Sequence, residues 1–223
     1  MDEANVAQWL TERLAVSRET LARLETFVAL LCEESNRQNL VSASSLDTVW
    51  TRHVVDSAQL VLLAGERRDA HWLDLGTGAG FPGMVLAILT HGQVTMVEER
   101  TKRHLWLSSV VDRLGLSNAR VIGRDLARIP AFDADIITAR AFAPLGTLLD
   151  LAVRFSRADT LWLLPKGRGG EEELATVRDA WHGRFGLEPS VVDASSAIVV
   201  ATGVAKAGAA VGPELDREAE EHA

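Results

Sequence analysis

The chain has 223 residues, 47% of them hydrophobic and 24% charged, and its 31 acidic side chains outnumber 23 basic ones to leave a net charge of -8. That length supports one substantial core with a small accessory region, and the negative balance excludes indiscriminate nucleic-acid binding, which needs many cations to neutralise phosphates. No apolar run approaches the roughly 18 residues of a membrane helix, the start Met-Asp-Glu-Ala-Asn lacks the basic-then-apolar pattern of a secretion signal, and the lone Cys32 has no internal partner, so a soluble cytoplasmic protein without a disulfide is expected.

From Val6 to Leu63 there is no proline, and apolar residues recur three and four apart. A short helix is predicted around Leu10 and Leu14, then an amphipathic one carrying Leu21, Leu24, Phe27, Val28 and Leu31. The polar run 36–45 predicts a loop, after which Ser45 or Asp47 can cap a helix bearing Trp50, His53, Val54, Ser57 and Leu60. Residues 1–66 are therefore expected to form a helical cap on a domain spanning 67–204. Residues 205–223, with their acidic run from Glu214 to Glu221, are expected to be a disordered tail.

From His71 onward strand and helix patterns alternate, which predicts an α/β fold: a Rossmann-like, seven-stranded, mostly parallel sheet. Strands are expected at 72–75, 93–97, 119–122, 134–138, 160–164, 187–192 and 197–202. Helices are expected at 84–89, 100–114, 145–155 and 171–181. No long helix fits between the last two strands, so they should close the sheet as an antiparallel hairpin.

The stretch 71–83, His-Trp-Leu-Asp-Leu-Gly-Thr-Gly-Ala-Gly-Phe-Pro-Gly, joins the first strand to the next helix. Gly76, Gly78 and Gly80 allow a tight turn that brings bare amides close to a ligand, and Pro82 suits the first turn of the helix. Two cofactor frames compete. The spacing Gly78-x-Gly80-x-x-Gly83 fits a dinucleotide fingerprint but starts two residues late for one. The frame Asp74-x-Gly76-x-Gly78-x-Gly80 looks like the first motif of Rossmann-like S-adenosylmethionine methyltransferases, in which the acid lies near the methionine end of the cofactor.

Glu98 follows the second strand, where an acid can accept the ribose hydroxyls of either cofactor; a surface pairing with Lys102 or Arg103 is the alternative. Asp125 and Leu126, after the third strand, are placed to flank an adenine. Arg140 ends the fourth strand and Lys166 and Arg168 the fifth, at the carboxyl side where such sheets bind ligands. Together with Arg124 they would give an acidic protein local positive charge. His53 and Asp56, a helical turn apart, either face this site from the cap or form a buried structural pair. The six histidines show no ligand spacing, so no metal site is expected.

Five segments appear in order: Asn39-Leu, Arg52-His-Val-Val-Asp-Ser57, Asp74-Leu-Gly-Thr-Gly-Ala-Gly-Phe-Pro-Gly83, Ala139-Arg-Ala-Phe-Ala-Pro-Leu145 and Leu164-Pro-Lys-Gly167. In this combination the chain resembles the small-subunit ribosomal RNA methyltransferase G family, also called glucose-inhibited division protein B. The resemblance implies methyl transfer from S-adenosylmethionine to N7 of a guanine in 16S ribosomal RNA, with cofactor contacts at Gly76, Phe81, Asp125, Leu126 and Arg140. Guanine N7 carries a lone pair and no proton, so no general base is expected. Arg140, Lys166 and Arg124 would orient the acceptor.

The sequence departs from the family pattern at Leu126, where many members have glutamate, at Ser35-Asn36, at Val41, and before Ala197-Ile-Val-Val200. The acidic charge favours a 30S particle over naked RNA as substrate, and a monomer is expected. Two other readings stand beside this one: a small-molecule methyltransferase, favoured by the same acidity, and a cofactor-binding ribosome-assembly factor without catalysis.

Overall fold

In the computed structural model, which describes residues 3–208, the N-terminal part is helical. It comprises α1 (Val6–Leu14), α2 (Arg18–Ser35), the single turn α3 (Ala43–Leu46), and a π-helical turn (Trp50–Val55) running directly into α4 (Asp56–Ala64). α2 starts where the Ser17 hydroxyl oxygen accepts the Thr20 N–H at 3.2 Å, satisfying one of the amides a helix start leaves open. The predicted apolar stripe is buried at Leu24, Phe27, Val28 and Leu31. The expected loop 36–45 contains α3, capped by Ser42 rather than by Ser45 or Asp47. The next helix has no side-chain cap at its start. Val49 is already helical, and the Trp50 and Thr51 amides donate to the Glu3 carboxylate at 3.2 and 2.6 Å.

The alternating part supplies β1 (Trp72–Leu75), α5 (Gly83–Leu89), β2 (Val94–Val97), α6 (Thr101–Leu114), β3 (Ala119–Ile122), β4 (Ile136–Ala139) and α7 (Leu145–Ala152). β5 (Leu161–Lys166), α8 (Gly170–Val177), β6 (Trp181–Pro189) and β7 (Ala197–Lys206) complete it. The seven strands lie in the order β3-β2-β1-β4-β5-β7-β6, with β7 antiparallel to both its neighbours and the rest parallel. β1, β2 and β4 are buried along their whole length, as expected of parallel strands covered on both faces.

Two core layers flank the sheet. On one face Leu10, Phe27, Leu31 and Leu60 of the cap helices pack with Met84 of α5, Leu107 of α6 and Trp72, Met96 and Leu163 of the sheet. Cys32 packs half-buried at the edge of this layer. On the other face Leu148 and Leu149 of α7 and Leu174 and Val177 of α8 pack against Leu73, Ile137 and Trp162.

The largest departure from the sequence expectation is β6. The helix expected to reach residue 181 stops at Val177, and Trp181 instead opens a nine-residue strand that ends at Pro189. β6 is one edge of the sheet and most of its residues are exposed, so no buried apolar run announces it. Gly183, at φ 145°, carries the strand through a register shift between His182 and Arg184, as a bulge requires. β7 runs on to Lys206. Of the expected tail, residues 205–208 are described and the remainder lies outside the described residues.

Candidate active site

The sheet order reverses between β1 and β4, which leave in opposite lateral directions, and ligands of open α/β sheets bind outside the strand ends at such a point. The glycine loop leaves β1 here. Gly76, Gly78 and Gly80 have φ values of 66°, 60° and 93°, and the loop closes through Gly80 and Phe81 amides donating to the Thr77 carbonyl at 2.8 and 3.0 Å.

Asp74 is fully buried beneath this loop. Its Oδ2 accepts the Gly83 N–H at 2.8 Å, while Oδ1 has no hydrogen-bond partner. The Thr77 hydroxyl lies near enough to favour the charged carboxylate, yet no hydrogen bond closes between them. Burial pushes the Asp74 carboxyl up to about 6, against the opposing pull of Thr77, the Gly83 amide and Arg140. Glu98, just past β2, is also buried. Its oxygens accept the Gly78 N–H at 3.0 Å and the Arg100 N–H at 2.9 Å. The alternative surface pairing with Lys102 or Arg103 is not formed; Arg103 donates to the Asn39 carbonyl at 3.3 Å and reaches over Gly78.

Arg140, immediately after β4, is gripped by the cap. Nη1 donates to Asp56 Oδ2 at 3.1 Å and to the Arg52 carbonyl at 3.3 Å, and Nη2 donates to His53 Nδ1 at 2.9 Å. A guanidinium only donates, so Nδ1 holds a lone pair and the imidazole proton sits on Nε2, a buried atom without a partner. Burial, followed by the charges of Arg140 and Arg52, holds His53 neutral and pushes it down to about 3. Its ring stacks on Phe81 at 4.8 Å, and Arg140 lies 5.5 Å from the same ring. Asp56 Oδ1 accepts from Gln59 at 2.8 Å. Burial raises its carboxyl above the ordinary value, while Arg140 and Gln59 oppose the rise. The π turn, through Arg52 and His53, and the first residue of α4, Asp56, therefore supply the groups that hold Arg140.

Two cavities open at the strand ends. The larger, about 990 Å³, lies between the π turn, the ends of β4 and β5 and the β6–β7 loop; Arg52, Asp56, Arg140, Phe142 and Lys166 line it. Lys166 is tied down there, its Nζ 2.8 Å from Glu173 and 3.2 Å from the Ala143 carbonyl. The second, about 710 Å³, lies past β2 and β3 and is lined by Glu99, Arg100, Gly123, Arg124, Asp125 and Arg128. Arg124 thus stands apart from Arg140 and Lys166, because β2 and β1 lie between β3 and β4. Arg168, exposed, donates to Ser195 at 3.1 Å. Asp125 caps a 3-10 turn by accepting the Ala127 N–H at 2.9 Å, and Leu126 is buried in the second core layer with its carbonyl bound by Arg154.

Position relative to strand ends brings Arg140, Lys166 and the loop glycines to one end of the sheet but leaves His53 and Asp56 undecided; it names Arg103 only as an alternative partner for Glu98 and does not single out Gln59 or Phe142. Phe142 lay inside a quoted motif, although nothing local told that its ring would face Gly76.

A seven-stranded sheet of this order, a glycine loop after its first strand and a buried acid after its second define the S-adenosylmethionine-dependent methyltransferase class. The fold is similar to that of a SAM-dependent methyltransferase from Aquifex aeolicus, with a TM-score of 0.58 and 19% identity over 75% of this chain and 96% of that one. The family model GidB, rRNA small subunit methyltransferase G, matches residues 20–196. Proteins named Ribosomal RNA small subunit methyltransferase G are 46% identical in Rhizorhabdus wittichii, over 93% of this chain and 96% of the relative, and 48% identical in Erythrobacter litoralis, over 83% and 90%. The chain belongs to this family.

Proposed function

We propose that the protein transfers a methyl group from S-adenosylmethionine to N7 of a guanine in 16S ribosomal RNA, acting as a cytoplasmic monomer on a 30S particle. The observation that carries this reading is the meeting, at one end of the sheet, of a nucleoside-type site with a roomy second cavity. Glu98 and the glycine loop form the first, and Arg140 stands on the wall of the second. The relatives' names supply the RNA. A net charge of -8 favours a substrate on which proteins already screen the phosphates.

The residues fit the cofactor. Each Glu98 oxygen already accepts one amide and keeps a lone pair for a ribose hydroxyl. Asp74 Oδ1 is a buried acceptor awaiting a donor. Asp125 lines the 710 Å³ cavity, where an adenine would lie, and Leu126 follows it into the core. S-adenosylmethionine supplies, when bound, an electrophilic methyl group on a sulfonium.

The protein's own work is to hold the acceptor in line and exclude water. Arg140 and Lys166 offer donors to a guanine edge or a phosphate from the cavity wall, and no side chain has to remove a proton. Among the described residues no group of three or more His, Cys, Asp or Glu is arranged to hold a metal ion.

The test is complementation. In a strain lacking its own enzyme, the gene should restore 7-methylguanosine in 16S RNA, and Arg140→Lys, which cannot reach Asp56, His53 and the Arg52 carbonyl together, should lower the rate about 100-fold. Unmodified RNA in the complemented strain would contradict the reading.

A further inference from the structure

We propose that Phe142 is the platform on which the acceptor base stacks; this rests on the reading that the acceptor is an RNA purine. Phe142 sits between the glycine loop and the larger cavity. A Cβ built on Gly76 would lie 2.3 Å from Phe142 Cδ2 and 3.1 Å from Cε2, so the ring lies directly against the first glycine of the cofactor loop. The same residue lines the 990 Å³ cavity and packs half-buried against the second core layer.

The backbone commits itself to this placement. Ala141, at φ 51°, is one of only two non-glycine residues with positive φ among the described residues. An L residue pays a steric cost there that the surrounding structure must over-determine. The turn folds Phe142 back from the end of β4 toward the loop after β1, the two strands being neighbours in register at Leu75 and Ala139. Gly76 is required on two counts, its φ of 66° and the ring above it.

The chemistry of the cavity gives the ring its purpose. The wall carries the cations Arg52, Arg140 and Lys166, which can meet phosphates or base acceptors, and the carboxylates Asp56, Glu173 and Asp193, which can accept from base edges; among the described residues Phe142 is its only aromatic side chain. Unstacked RNA bases are held between aromatic faces while their edges are read by hydrogen bonds. N7 lies in the purine plane, so a ring that holds the plane leaves that edge free to approach the glycine loop. Stacking is tolerant of base identity, so Phe142 fixes posture and the charged wall selects the base.

The experiment measures methyl transfer to unmethylated 30S particles and S-adenosylmethionine affinity for Phe142→Leu, Phe142→Tyr and Phe142→Trp, with thermal unfolding of each. Phe142→Leu, which keeps apolar bulk but no π-face, should lower kcat/KM for the particle roughly 5- to 150-fold, the range that base–aromatic stacking spans. Phe142→Tyr and Phe142→Trp should stay within about threefold of the unchanged protein, since any aromatic face serves. Cofactor Kd should be the same in all.

Full activity in Phe142→Leu overturns the proposal. So does a cofactor Kd that moves in step with kcat/KM, which would make Phe142 a cofactor wall. An equal loss in all three variants with lowered melting temperatures would make it a packing residue only. If the unchanged protein methylates no RNA, the functional reading falls, and the stacking role with it.

Discussion

Two buried ionisable residues at the site, Asp74 and His53, pull the molecule's stability in opposite directions with pH. Asp74, raised to about 6 by burial, favours the folded state when protonated. Its contribution is complete below about pH 4, the ordinary carboxylate value, and is lost as pH rises through 6. His53, lowered to about 3, favours the folded state when neutral. Its contribution is complete above about pH 6.5 and is lost as pH falls through 3. Between these limits the two oppose each other. Asp74→Asn, which retains an acceptor for the Gly83 amide, should make stability rise more steeply from about pH 4 to 6.5, and His53→Gln should make it fall over the same range. Urea unfolding at several pH values measures both slopes; parallel curves for all three proteins would contradict the assignment.

At the level of elements, the loop from β1 to α5 is held by close contact as much as by hydrogen bonds. A Cβ at Gly83 would lie 2.6 Å from Asp74 Oδ2 and 2.5 Å from Met96 Cγ. Alanine ordinarily stabilises a helix by about 1 kcal/mol over glycine. Here Gly83→Ala should instead cost about 1–3 kcal/mol, the range of an overpacked core, read from the urea midpoint. A gain in stability would mean that α5 can shift outward from β2.

The elements also separate what was legible in the chain from what was not. β1 and β2 were legible to within a residue because both are buried along their whole length and their apolar runs are short and dense; β3 was legible too, although it is the partly exposed opposite edge of the sheet. β6 was not, since an exposed edge carries no such run and Trp181 at its start mimicked the end of a helix. The π turn was hidden for another reason: its residues fit an ordinary helical period, so nothing in their spacing separates it from α4. In the site, the loop glycines, Glu98 and Arg140 were legible from position relative to strand ends. The grip of His53 and Asp56 on Arg140 joins residues 87 and 84 positions apart, and Phe142 meets Gly76 only because β1 and β4 are adjacent. Arg124 was grouped with Arg140 because both follow strands; the intervening strands keep them apart.

Across the whole molecule, the cap is continuous with the sheet. Phe27, Leu31 and Leu60 share one core layer with Trp72, Met84 and Leu163, and Gln59 of α4 ties the cap to the β6–β7 loop by accepting the Val191 N–H at 2.9 Å. Cap and sheet should therefore unfold together. Calorimetry of the full chain is expected to show one transition whose van't Hoff and calorimetric enthalpies agree; two resolved transitions would indicate that the cap docks on an independently stable domain. The same continuity explains how Arg140 can be set from the cap, since the π turn running into α4 holds the Arg52 carbonyl, His53 and Asp56 against the end of β4.

Methyl transfer itself is most directly tested with purified protein, labelled S-adenosylmethionine and 30S particles from a strain lacking the modification, followed by nuclease digestion and mass spectrometry of the nucleosides. The expected result is label in 7-methylguanosine at a single position of 16S RNA, with little incorporation into protein-free RNA. Label in another nucleoside, or none in RNA while small molecules accept it, would contradict the proposed function.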